Sequence, residues 1–149
     1  MFKTLLYIQI SDQRLKVTSP QLANSYESTP HVAIDNSDGK KIIVAIGREA
    51  EALTGKPNVE VINPFGHPRL VLSDSMVGEK LLQHAIHKLF EGTLRLSKRV
   101  ALIHPERELE GGLTPVEHQS LAELGKNAGC GETTVYQGRP LTMDELRAR

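Results

Sequence analysis

The hydrophobic positions of this chain change period from segment to segment, and each change marks an element. TLLYIQI (residues 4–10) is an apolar run rich in β-branched and aromatic side chains, and RLKVTS (14–19) alternates polar with apolar. On either side of the polar SDQ, the two predict a strand, a tight turn and a second strand. PQLANSYESTP (20–30) is bounded by prolines and filled with Ser, Thr and Asn, which predicts a loop. HVAID (31–35) and KIIVAIG (41–47) flank NSDGK, where Asp-Gly between apolar runs signals a hairpin. REAEALTG (48–55) suits a short helix closed by Gly55 and Pro57, and VEVINPF (59–65) a short strand.

Further on the period becomes helical. Val77, Leu81, Leu82, Ala85, Ile86, Leu89 and Phe90 share one face; Ser73 or Asp74 can cap this helix and Gly92 can end it. RVALIHP (99–105) is almost continuously apolar, the pattern of a strand at the centre of a sheet covered on both faces. TPVEHQSLAELGKNAG (114–129) has strong start signals, with Thr114 as N-cap, Pro115 at the first helical position and Glu117 completing a capping box. ETTVYQG (132–138) reads as a last strand. TMDELRAR (142–149) opens as a helix, with Thr142 as cap and Glu145 three residues on. Antiparallel strands followed by helix–strand–helix–strand predict an α/β fold: one mixed sheet, its later strands parallel, with flanking helices. Without repeats or an interdomain linker, residues 1–149 are expected to form a single domain.

Charge and cysteine content narrow the function classes. Eighteen basic residues balance eighteen acidic ones over 149 residues, so no net field recruits nucleic acid or an anionic membrane. The apolar start is too short for a signal sequence or a membrane span. One cysteine, Cys130, cannot form an internal disulfide. A cytoplasmic protein without direct membrane insertion is expected.

Four groupings bear on chemistry, and each has a plainer reading. His84 and His87 stand three apart on the long helix, but a zinc site needs a third ligand and none is near in sequence; a solvated or packed pair is expected. Cys130 lies between two glycines with no local base. His104 or His118 would have to approach it through the fold, and a small residue in a helix–strand turn is the expectation. ERELEGG (106–112) groups carboxylates that are expected to be solvated, although a partner-contacting loop is also open. RLSKR (95–99) is a small basic patch, read as a solvated approach to a strand.

The long helix also carries a resemblance. SDSMVGEKLLQHAIHKLF is similar to a helix of MreB, the bacterial actin family of cell-shape control. Asp74, Val77, Glu79, Lys80, Leu82, Gln83, His84 and Ile86 stand at matching places. VINPF resembles the family's strand before that helix, and VAIGREAEALTGKPNVEVINP the segment leading to it. Thr114, Val116, Glu117, Glu123, Ala128, Gly129 and Glu132 match a later helix, turn and strand. The resemblance covers roughly residues 31–140. It implies an actin-like subdomain with a ribonuclease-H-like sheet, corresponding to the N-terminal half of the family.

Departures from that pattern fall on the nucleotide chemistry. An actin-type ATPase grips phosphate with two glycine-containing hairpins, because glycine lets backbone N–H groups close on the anion. The first hairpin here, YIQISDQRLKV, has no glycine; Asp12 sits in the turn, and Gln9 or Ser11 stands where the metal-holding aspartate is expected. EGGL (110–113) is the nearest string to the second loop but follows no strand ending in Asp. The acidic pair before proline becomes Gln137 and Gly138, with Arg139 before Pro140. The chain then ends where the adenosine-binding half is expected. The resemblance, with these losses, implies a non-catalytic MreB-like protein, a pseudo-ATPase acting as an interaction or regulatory module of the bacterial actin cytoskeleton. Its expected partner is a protein, MreB or a second copy of itself. No catalytic, cofactor-binding or metal-ligating residue is assigned, and no cofactor. Two alternatives stay open: a scaffold of the same fold in another bacterial assembly, and a metal-dependent ribonuclease-H-like enzyme. The latter would draw on carboxylates such as Asp12 and Asp35.

Overall fold

The computed structural model describes residues 2–94, 97–107 and 111–149. The first apolar run is strand β1 (Lys3–Ile10), which turns back into β2 (Leu15–Thr18) and on to β3 (Tyr26–Ser28). After a smaller unit come helix α2 (Ser75–Leu89), strand β7 (Lys98–Pro105), helix α3 (Pro115–Asn127), strand β8 (Glu132–Val135) and helix α4 (Met143–Arg147). The five strands form one sheet in the order β3-β2-β1-β7-β8. β2 is antiparallel to β1 and to β3, while β7 runs parallel to β1 and to β8. The continuous apolar strand thus lies between two neighbours, as its pattern predicts.

Residues 31–62 hold the smaller unit: β4 (Val32–Asp35), β5 (Ile42–Ile46), α1 (Arg48–Glu51) and β6 (Val59–Ile62). Its strands form a second sheet, β5-β4-β6, antiparallel throughout. The single mixed sheet expected from the sequence is therefore corrected to two sheets. A second correction concerns β3. It lies in the stretch expected to be a loop and is a strand through pairing with β2, Leu15 opposite Ser28 and Val17 opposite Tyr26.

Period-two alternation divides the large sheet into two apolar faces. Leu6, Ile8 and Ile10 of β1 and Ala101 and Ile103 of β7 pack with Leu81, Leu82, Ile86 and Leu89 of α2 and with Leu121 and Leu124 of α3. Val32 and Ile34 of β4 join the same core, so both sheets share it. The helix face expected from the sequence is the buried one, and each fully buried leucine on it contributes roughly 1.5–3 kcal/mol. On the opposite face Tyr7, Leu102 and Leu146 of α4 form a second cluster with Leu5, Tyr136 and Leu141 against it. Helix ends follow the sequence signals. The Asp74 side chain accepts from the Val77 N–H, and Thr114–Glu117 and Thr142–Glu145 each form a complete capping box. No helix among the described residues is long and apolar enough to cross a membrane.

Candidate functional site

In open sheets with parallel strands, ligands gather outside the carboxyl ends of those strands. Here that region lies beyond Ile10, Pro105 and Val135. The β1–β2 turn closes on itself: Ser11 N–H donates to the Arg14 carbonyl (3.0 Å), and Ser11 Oγ accepts from the N–H groups of Gln13 (3.1 Å) and Arg14 (3.2 Å). Asn63 Nδ2 donates to the Asp12 carbonyl at 2.8 Å and ties the turn to the end of β6. A phosphate cradle needs turn N–H groups aimed outward. These three are spent inside the turn.

The space in front of the turn holds an ion pair. The Glu106 N–H extends the parallel ladder to the Ile10 carbonyl (2.8 Å), which brings its carboxylate beside the hairpin. Arg14 meets that carboxylate with two donors, Nε to Oε1 at 3.2 Å and Nη2 to Oε2 at 3.1 Å. Gln9, buried on β1, adds Nε2 to Oε2 at 3.2 Å. The other Arg14 nitrogen, Nη1, reaches Glu27 on β3 at 3.2 Å. The hydrogen bond to Glu106 raises the Arg14 pKa above its ordinary value. A carboxylate held by a forked guanidinium is the arrangement a bound phosphate would need to displace. The Asp12 carboxylate, by contrast, accepts only from its neighbour Gln13 among the described hydrogen bonds (3.2 Å).

The end of β8 is equally occupied. His104 Nε2 lies 2.9 Å from the Gly138 carbonyl and its Nδ1 2.6 Å from Tyr7 Oη. A carbonyl only accepts, so Nε2 carries the proton, Nδ1 of the neutral ring accepts, and the Tyr7 hydroxyl donates. The Leu141 N–H in turn donates to Tyr7 Oη at 3.1 Å. Burial lowers the His104 pKa, in keeping with a neutral ring. This chain of three bonds pins residues 138–141 to the sheet. Gln137 pairs with His118 at 3.2 Å. Arg139 binds Glu145 through two contacts of 2.7 Å, which pull the Glu145 pKa down to about 2.

The other groupings singled out in the sequence are dispersed. His84 packs edge-on to Tyr26, ring centroids 5.9 Å apart, and no cluster of three His, Cys, Asp or Glu side chains able to hold a metal occurs among the described residues. Cys130 is buried with the α2–α3 core, where burial pushes its thiol up to about 11. Both ring nitrogens of His104 are already bonded, and His118 faces Gln137. Asp35 accepts from Ser37 within its own turn. Of RLSKR, residues 95 and 96 lie outside the described residues; Lys98 pairs with Glu132 (2.6 Å) and Arg99 stacks over Phe90 (4.3 Å). Of ERELEGG, residues 108–110 lie outside the described residues; Arg107 donates to the Leu70 carbonyl at 3.1 Å. What sequence reasoning missed is the Gln9–Arg14–Glu106 bridge and the Tyr7–His104–Gly138 chain, since their partners stand up to 97 residues apart.

Sheet order and the inserted small sheet together define an actin-like subdomain, and solved structures agree. The chain is similar to MreB5 of Spiroplasma citri bound to ADP (TM-score 0.72, 16% identity, 91% of this chain and 38% of that one). It is also similar to a non-polymerising MamK mutant bound to AMPPNP (TM-score 0.63, 10% identity, 91% of this chain and 41% of that one). The MreB/Mbl protein family matches residues 25–140, and the chain belongs to that family. It is 31% identical over 106 residues to the cell shape-determining protein MreB of Escherichia coli, and 30% identical over 98 residues to that of Haemophilus influenzae. These matches take in 69% and 65% of this chain but only 28% and 26% of the two relatives. The family match begins at residue 25, beyond the glycine-free β1–β2 turn.

Proposed function

We propose that the chain is a non-catalytic member of the MreB family, a pseudo-ATPase that works in the cytoplasm as an interaction or regulatory module of the bacterial actin cytoskeleton. One observation carries this reading: the Arg14–Glu106 ion pair, braced by Gln9, fills the carboxyl ends of β1 and β7. An incoming triphosphate would meet Glu106 and Glu27 at close range. To reach Arg14 it would have to break a forked ion pair, and the turn offers it no free N–H groups at Gln13 or Arg14. The amide of Gln137, bonded to His118, cannot serve as the base that a carboxylate would provide. Calorimetric titration with Mg-ATP and Mg-ADP tests this reading. No binding at micromolar concentration is the expected result, and a micromolar dissociation constant would overturn it.

A further inference from the structure

The segment beyond β8 lies across the second apolar face of the large sheet and is held there at few points. Of residues 141–149 only Leu146 is buried. It packs on Tyr7 and Leu102, with the half-buried Leu141 against the same cluster. Beside it remains a cavity of about 190 Å³, lined by Leu5, Val100, Leu102, Thr134, Leu146 and Arg149. The segment's charged side chains do not fasten it to the central strands. Arg139 binds Glu145, Arg147 binds Asp144, and Arg149 lies over the Tyr136 ring. What fastens it is the Leu141 N–H, donating to Tyr7 Oη at 3.1 Å, and that hydroxyl is set by His104.

We propose that residues 141–149 form an acid-released strap: protonation of His104 breaks the Tyr7–Leu141 contact and lifts α4 from the sheet, uncovering Leu5, Tyr7 and Leu102.

The hydrogen-bond bookkeeping leaves one place for the added proton. Nε2 already gives its hydrogen to the Gly138 carbonyl, so the proton enters at Nδ1, 2.6 Å from Tyr7 Oη. That turns the acceptor of the Tyr7 hydroxyl into a second donor pointed at it. Tyr7 is 2% exposed, so a hydroxyl hydrogen without its acceptor and an unsolvated imidazolium are stranded together. Lifting the strap admits water to both. Residues 138–140 act as the pivot. The Gly138 carbonyl gains a charged donor and is gripped harder, and the Arg139 carbonyl accepts from Tyr136 Oη at 2.8 Å.

The groups facing His104 are few. Tyr7 comes from β1, and Tyr136 from the end of β8, ring centroids 4.9 Å apart. Glu106 follows β7 and favours the charged ring at longer range. Burial outweighs it and lowers the pKa while the strap is closed; with the strap open, the ring returns to its ordinary value of about 6.5. The strap is therefore closed above about pH 6.5 and opens progressively as pH falls below it. None of this depends on the nucleotide reading.

Amide hydrogen exchange of the purified chain, followed residue by residue by NMR and corrected for intrinsic rates, tests the strap. Residues 141–149 should exchange through an opening less costly than that of α2 and α3 and insensitive to dilute urea. Their protection should fall below about pH 6.5, by up to about tenfold per pH unit. His104→Gln should remove that pH step. Tyr7→Phe, which deprives the Leu141 N–H of its acceptor, should weaken protection of 141–149 already at neutral pH. Exchange of 141–149 only together with α2 and α3, protection indifferent to pH, or a pH step that survives in His104→Gln would overturn the proposal. So would a Tyr7→Phe chain whose strap is as protected as the wild type.

Discussion

Arg14 joins three parts of the chain through one guanidinium, linking the hairpin turn to Glu27 on β3 and to Glu106 after β7. The pair is partly exposed, so its contribution is modest. Glu106→Ala is expected to cost about 1 kcal/mol in urea unfolding, with a positive coupling energy to Arg14→Ala in a double-mutant cycle. His104 sets a pH dependence. Its pKa is lowered by burial in the folded chain, opposed by the Gly138 carbonyl and by Glu106, and Tyr7 and Tyr136 are the other groups facing it. Its contribution is complete above the unfolded value of about 6.5 and is lost as pH falls below it. Stability should therefore drop as pH falls below about 6.5, and His104→Gln should flatten part of that slope. His84, also lowered by burial, adds to the slope in the same direction. Thermal unfolding followed by circular dichroism across that range reads both effects.

At the scale of elements, the approach of α3 to the sheet depends on Gly125. A Cβ there would lie 2.4 Å from Thr133 Oγ1 and 2.5 Å from its Cγ2 on β8. Gly→Ala inside an exposed helix commonly gains about 1 kcal/mol. Here Gly125→Ala should instead lose about 1–3 kcal/mol by overpacking, with much of the loss recovered in Gly125→Ala with Thr133→Ala. Chemical denaturation of the three variants checks the sign. The helix caps were legible in the sequence because they are local: Thr114–Glu117 and Thr142–Glu145 sit three residues apart and close as written. β3 was not legible, since Tyr26 is the lone apolar residue of a three-residue strand whose order comes from β2. The split into two sheets escaped for a related reason. Alternation shows that β4, β5 and β6 are strands but not which strands they join. The candidate site was readable in what it lacks, the glycines of the first hairpin. The Glu106 carboxylate that fills the gap comes from a loop 92 residues beyond Arg14.

For the whole molecule, one core joins an actin-like sheet to its small companion, while the carboxyl ends of the central strands are closed by the chain's own side chains. On the proposed reading, the outer surfaces of the fold are what is left for protein contact. The account stands or falls on the cytoskeletal contact. Co-sedimentation of the purified chain with polymerised MreB from the same organism is the direct measurement. The account predicts that the chain pellets with filaments in a saturable ratio, and that Glu106→Ala, which opens the strand ends, leaves that ratio unchanged. A chain that stays in the supernatant at every filament concentration would contradict it.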